Sequence, residues 1–233
     1  MNNKNITPSP GTLYVVSTPI GNLADLSQRA LETLREVDYV VCEDTRKSSI
    51  LFKKYDIKNK KKLSYHARSS VSKLEKIIKL LSAGQNMALI SDAGTPGISD
   101  PGFNILKLAR EKNIKISPIP GASAFLAALS ACSFPSNQFV FYGFLPQKKG
   151  KNKILTEIRD GNKTAIFYES PHRISKTLAK ISSFFPEREI CIAREITKIY
   201  EEFIYGTADE LLNIFEKKAP KGEMVVLVAP ERR

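Results

Sequence analysis

Short apolar segments alternate along this chain with stretches whose apolar residues recur at helical spacing, and that alternation restricts the chain to a layered α/β architecture. Strands are predicted at 12–17 (TLYVVS), 39–42, 63–65, 87–90 and 114–119. Between them the stripes Ala30, Leu31, Leu34, Val37 and Leu74, Ile77, Ile78, Leu81 each mark one face of a helix. Asp25 with Gln28, Thr45, Ser72 with Glu75, and Asp100 with Pro101 read as the helix starts. A second series follows: helix 123–131, strand 139–143, helix 151–159, strand 164–168, and a helix opened by Ser170-Pro171. Strands 189–193 and 202–205 lie close enough for a hairpin; Thr207-x-x-Glu210 then caps a helix, and 224–229 is a last apolar strand. The expectation is two α/β lobes that meet where P-I-P-G (118–121) breaks the pattern. Residues 1–119 form the first, with 1–10 a disordered leader and a parallel sheet; residues 120–233 form the second, with a mixed sheet.

Composition narrows the class. The chain has 233 residues, 36 Lys+Arg against 24 Asp+Glu, and a net charge of +12, with 42% hydrophobic residues and a pI of about 9.5. Those values exclude a collagen-like, disordered or coiled-coil chain. Cys42, Cys132 and Cys191 stand far apart without a C-x-x-C, and His66 and His172 are the two histidines. No metal site and no disulfide scaffold are expected, and a reducing cytoplasm is the expected location. The longest charge-free run, 116–147, is broken by Pro118, Pro120 and Pro135, so no membrane span is expected.

The charge is concentrated. Residues 46–79 carry twelve basic side chains against Asp56 and Glu75, including Lys58, Lys60, Lys61 and Lys62. A second knot comprises Lys148, Lys149, Lys151 and Lys153. Positive charge gathered this way favours a polyanion and predicts a nucleic-acid face.

Three loops follow predicted strands: 17–25, 91–102 and 118–124. In open α/β sheets such loops sit at the carboxyl ends of the strands, where ligands bind. Neither G-x-x-x-x-G-K-[ST] nor a strand-borne G-x-G-x-x-G occurs, which argues against a P-loop or classical dinucleotide site. Asp92 and Asp100 flank the second loop and suit a cationic or amine-bearing ligand rather than a phosphate.

The strings T-P-I-G-N-L-A-D (18–25), E-D-T-R (43–46), S-D-A-G-T-P-G-I-S-D-P-G (91–102), P-G-A-S-A (120–124), F-Y-E-S-P-H-R (167–173), A-R-E-I-T-K (193–198) and K-G-E (221–223) together resemble the tetrapyrrole methylase family. Within it they are similar to the 16S ribosomal RNA cytidine-2′-O-methyltransferases, over residues 11–229. The resemblance implies a class III S-adenosylmethionine (SAM) fold with the cofactor in a cleft between two lobes, and a homodimer. It also implies a cytidine of the decoding region as substrate, within the small ribosomal subunit. Carried over residue by residue, it assigns SAM contacts to Ser91, Asp92, Ala93, Gly94, Thr95, Ile98, Gly121 and Ser123, largely through backbone, and cleft-lining positions to Tyr168 and Met224. Asn22, Arg46, Arg173 and Lys198 become candidate substrate contacts. Two departures stand out: Ala122 replaces a usual proline, and Ala67-Arg68-Ser69-Ser70 replaces a more polar segment after His66.

Methyl transfer to a ribose hydroxyl needs in-line alignment and a base for the proton. Asp25, Glu43, Asp44, Glu169 and Glu195 are the acidic candidates, and Glu43 with Asp44, beside Arg46, makes the best pair. A tetrapyrrole methyltransferase of the same fold and a non-catalytic RNA-binding assembly protein remain alternatives at this point.

Overall fold

The computed structural model describes residues 9–100, 102–147, 149–217 and 220–231. Residues 1–8 of the expected leader, the expected helix-opening Pro101 and Lys148 of the lysine knot lie outside them. The chain divides into two compact units, Met1–Ser123 and Ala124–Arg233.

The first unit holds β1 (Thr12–Val16), α1 (Gln28–Glu36), β2 (Tyr39–Cys42), α2 (Thr45–Lys54), β3 (Lys61–Ser64), α3 (Val71–Ser82), β4 (Met87–Leu89), α4 (Phe103–Glu111) and β5 (Lys115–Ile119). Its strands form a parallel sheet in the order β3-β2-β4-β1-β5. Burial on both faces explains why β2 and β4 read as unbroken apolar runs. Leu34 and Ala30 of α1 and Leu51 and Phe52 of α2 pack on one face with Val16, Val40 and Ala88. Ile77 and Leu81 of α3 and Ile105 and Ala109 of α4 pack on the other with Leu13, Val41 and Met87. The chain therefore leaves β1 toward β2 on one face and leaves the adjacent β4 toward β5 on the opposite face. Between such a pair of strands an open sheet has its topological switch point, and the crevice there is a ready ligand site.

The second unit comprises α5 (Ala124–Ala131), β6 (Phe139–Phe144), α6 (Lys151–Asp160), β7 (Thr164–Glu169), α7 (Ile174–Ser182), β8 (Ile190–Arg194), β9 (Glu202–Gly206), α8 (Ala208–Lys217) and β10 (Met224–Val228). Its sheet is mixed, in the order β6-β7-β10-β8-β9, with β6 parallel to β7 and the other pairings antiparallel. The β8–β9 hairpin foreseen from the spacing is present. Leu155, Ile158, Leu178, Ile181, Leu211 and Phe215 of α6–α8 cover one face, and Phe125, Ala128 and Leu129 of α5 lie on the other. Among the described residues no helix is long and apolar enough to cross a membrane.

Several helix starts differ from the sequence reading, each for a local reason. Asn22 Oδ1 accepts from Ala24 N and caps a short 3₁₀ turn at Leu23–Asp25, so α1 starts later, with Ser27 Oγ accepting from Ala30 N. Asp44, not Thr45, caps α2. The caps of α3, α4 and α7 are Ser70, Gly102 and Arg173, none with a side-chain capping bond. Thr207 and Glu210 do form the expected capping box: Thr207 N donates to Glu210 Oε2 at 2.7 Å and Glu210 N to Thr207 Oγ1 at 3.4 Å.

Candidate functional site

The carboxyl edge of the first sheet gathers the three loops and ties them together. Thr18 N donates to Gly94 O at 2.9 Å and Gly94 N to Thr18 O at 3.0 Å, an antiparallel bridge between the loops after β1 and β4. Gly94 meets this bridge with φ +83, a conformation that a side chain would strain. Thr95 Oγ1 donates its one proton to Ala122 O (3.0 Å), so at its 2.9 Å contact with Ser17 Oγ it must accept. One hydroxyl pair thus links all three loops. Gly121 is seated against Ser17 so closely that a Cβ would stand 2.8 Å from Ser17 Cβ. Thr18 Oγ1 donates to Ser91 O at 3.3 Å, and the single proton of Ser91 Oγ is shared between Gly94 O, at 3.1 Å, and the Asp100 carboxyl. Since these hydroxyls serve the loops themselves, what residues 91–98 offer a ligand is mainly backbone.

Around the cradle the charge is negative. Asp92 Oδ1 accepts from Asp44 N at 3.1 Å and Asp92 Oδ2 pairs with Lys47 Nζ at 2.8 Å, joining the ends of β4 and β2. Burial, then the charges of Asp92 and Asp44, push the Glu43 carboxyl up, against the pull of Lys47 and His66. Asp100 is pushed up to about 6, first by burial and then by the charge of Glu43, with Asp92 adding and a bond from Ser91 partly offsetting. Asp44 differs: bonds from the Arg46 side chain and backbone hold its carboxyl down at about 2. Arg46 grips it through Nε and Nη2 while remaining 90% exposed. The structure thus places Glu43, Asp44, Asp92 and Asp100 at one edge and separates the two proposed bases chemically. A carboxylate near 2 is a weak base at neutral pH; a raised one is stronger. Asp100, read from sequence only as a helix cap and a flank of the loop, is a member of this cluster.

The basic run behaves less freely than its composition suggested. Lys60 Nζ donates to the carbonyls of Arg35 and Val37 at the end of α1. Lys62 bonds Ser49 Oγ at 2.8 Å and lies over the Phe52 ring, Lys61 lies over Tyr39, and Lys58 pairs with Asp56. These lysines brace the edge strand β3 as well as charging it.

In the second unit, F-Y-E-S-P-H-R forms a closed polar cluster. Glu169, buried, accepts from Ser170 N (2.9 Å) and Thr177 Oγ1 (2.7 Å) and pairs with Arg173 Nε (3.0 Å). Arg173 Nη2 also donates to Leu145 O at 2.8 Å. Arg173, a candidate substrate contact, is therefore engaged within the unit, with its side chain partly exposed. Lys198 is paired with Glu195 at 2.9 Å, and Asn22 caps the 3₁₀ turn. Tyr168 and Met224 do not come together: Tyr168 faces the α5 side and Met224, 2% exposed, the α6–α8 core. Ser123 directly precedes α5.

A parallel sheet whose switch-point loops form a backbone cradle, followed by a mixed α/β unit, is a fold that solved methyltransferases share. The uroporphyrin-III C-methyltransferase of Thermus thermophilus, solved with S-adenosyl homocysteine, shares the fold at a TM-score of 0.66 and 14% identity, with 93% of this chain and 97% of that one covered. The model of the tetrapyrrole (corrin/porphyrin) methylases matches residues 12–212. The chain belongs to that family, whose methyl donor is S-adenosylmethionine. Its curated relatives include a protein of Thermotoga maritima named ribosomal RNA small subunit methyltransferase I, 43% identical over 219 residues, 94% of this chain and 98% of that protein. A Synechocystis protein of the same name is 42% identical over 228 residues, 96% of this chain and 81% of its own length.

Proposed function

We propose that this protein transfers the methyl group of SAM to ribosomal RNA of the small subunit, at the 2′-oxygen of a cytidine in the decoding region. The observation that carries the reading is 43% identity, across 94% of the chain, to a relative bearing the rRNA methyltransferase name. The residues at the first sheet's edge fit the cofactor. Asp92, Asp100 and Glu43 complement a ligand with a sulfonium and an ammonium group, and the backbone of Ala93, Gly94, Thr95 and Ile98, with Gly121 and Ser123, supplies neutral donors and acceptors at close range. SAM supplies an electrophilic methyl when bound; the chain's work is to bind, align and accept a proton.

Glu43 is the residue we assign to take the proton from the 2′-hydroxyl, onto its carboxylate oxygen. Asp44 caps α2 and holds Arg46, whose exposed guanidinium is aimed at RNA phosphate. Basic residues of 46–79 add a non-specific attraction that places RNA beside the acidic cradle. The family likeness supports a homodimer acting in the cytoplasm, on RNA already within the subunit.

The deciding experiment is transfer of tritium from labelled SAM to purified small subunits lacking the modification, with the labelled nucleotide mapped. Label on a cytidine ribose of the decoding region is expected. Label only in a porphyrinogen, or SAM binding with no transfer, would overturn the proposal.

A further inference from the structure

An aromatic row runs along the α5 face of the second sheet and ends in the open. Phe125 stacks on Phe141 (centroids 4.3 Å, 17° between planes), Phe141 meets Tyr168 edge-on (5.1 Å, 72°), and Tyr168 meets Phe144 (5.3 Å, 57°). Phe144, the last residue of the row, is 57% exposed on the edge strand β6.

Its placement depends on a backbone irregularity. Phe141 pairs with Ile166 and Phe144 with Tyr168, so three steps on β6 match two on β7. Gly143, at φ 62, sits within the extra residue's span. In a regular strand, residues three apart point to opposite faces; the bulge brings both rings onto the face of Tyr168. An irregularity that turns a large apolar ring outward gains no burial from doing so. The chain then continues into Lys149 and Lys153, both exposed and in no ion pair among the described residues. An exposed ring followed by lysines is the composition of a single-strand nucleic-acid platform, where bases stack and cations follow the backbone. SAM, with two cationic groups and one carboxylate, would be repelled by these lysines, and a second copy would bring the same charges face to face.

We propose that Phe144, backed by Tyr168, is a stacking platform for an unpaired nucleobase of the RNA substrate, with Lys149 and Lys153 on the adjoining phosphates. This deepens the rRNA reading and rests on it.

The test uses full-length protein and small subunits lacking the modification, with Phe144→Ala, Phe144→Leu, Phe144→Trp and the double variant Lys149→Ala/Lys153→Ala. From ~1–3 kcal/mol per stacked base, F144A is expected to raise KM for the subunit roughly 5- to 150-fold, with kcat and the Kd for SAM within about twofold. F144W restores the wild-type KM and F144L, equally apolar, does not. The double variant lowers the slope of log binding constant against log salt by about 1.4. Since the chain has no tryptophan, F144W also carries the sole indole, and its emission should be quenched by RNA and not by SAM. Three results overturn the platform: F144L matching wild type, SAM quenching the indole, or an indole blue-shifted and insensitive to RNA because another copy covers it. If wild type labels RNA and every variant behaves like it, the platform alone fails. If wild type labels no RNA, the rRNA reading fails and the platform falls with it.

Discussion

Asp100→Asn separates the electrostatics of the acidic edge from its packing. Asp100 is half-buried, and its carboxyl stands at about 6 against an ordinary 3.8, through burial first and then the charge of Glu43. A folded-state value above the unfolded one means the native protein binds the proton more tightly. Stability therefore falls as pH rises from about 4 to about 6, and the penalty is fully present above that window. At ~1.4 kcal/mol per pH unit the displacement corresponds to a ceiling of ~3 kcal/mol; with the solvent that still reaches the group, about 1–2 kcal/mol is the figure to expect. Asn keeps the shape, and its carbonyl can still accept from Ser91. Gly102, not Asp100, is the N-cap of α4, so no cap is lost. Thermal unfolding followed by circular dichroism should show D100N melting roughly 2–8 °C above wild type at pH 7.5, the difference closing near pH 4. Titration calorimetry should show the opposite sign for the cofactor, with SAM bound roughly 5- to 30-fold more weakly at pH 7.5. The reasoning fails if D100N melts below wild type at pH 7.5, or if its advantage is the same at pH 4. Unchanged SAM affinity would show that the acidic edge does not face the cofactor.

Four further outcomes follow from the same structure. Glu43→Gln should lower kcat at saturating SAM by about 10²–10⁴ and, as a member of the acidic edge, should also weaken SAM binding, whereas Asp44→Asn, which can still cap α2, should lower kcat less than tenfold; in stopped assays across pH, wild-type activity should fall as pH drops through the raised Glu43 value. Filter binding across a salt series should show RNA affinity falling steeply while SAM affinity measured by calorimetry barely moves. Gly121→Ala forces a Cβ to 2.8 Å from Ser17 Cβ, so urea unfolding should register a loss of about 1–3 kcal/mol and calorimetry a weaker SAM site. Arg188→Met should lose at least about 3 kcal/mol in the same unfolding assay. Its guanidinium donates to the carbonyls of Ile158, Arg159, Gly161 and Ala229, which would be left without it.

How much of this was legible in the sequence depends on how far apart the interacting residues lie. The β/α alternation and the Thr207–Glu210 box are local patterns, and both are present as read. Helix starts were less legible, because a turn taken just upstream decides them: once Asn22 caps Leu23–Asp25, Ser27 is the next residue able to open α1. Arg188 carried no signal at all. It lies in an F-F-P-E-R-E run that reads as surface, yet it closes the carbonyl end of α6 about thirty residues back in the chain, at the cost of a guanidinium pushed below its ordinary value by burial.

The charge pattern shows why a site is harder to read than a fold. The lysine run announced an anionic partner, but Lys60 and Lys62 are also tied to α1 and to Ser49, so composition counted as free what the fold engages. The acidic edge was legible only in part: Asp92 and Asp100 flank one loop and read as suiting a cation, but nothing local joins Glu43 to them. Those carboxyls are neighbours because β2 and β4 lie side by side in the sheet, although an entire β-strand and two helices separate them in sequence. Burial and the neighbouring carboxylate charges together push Glu43 and Asp100 up, which weakens the fold and at the same time prepares the edge for a cation. That shared origin is why a stabilising change at Asp100 and a loss of cofactor affinity are expected together.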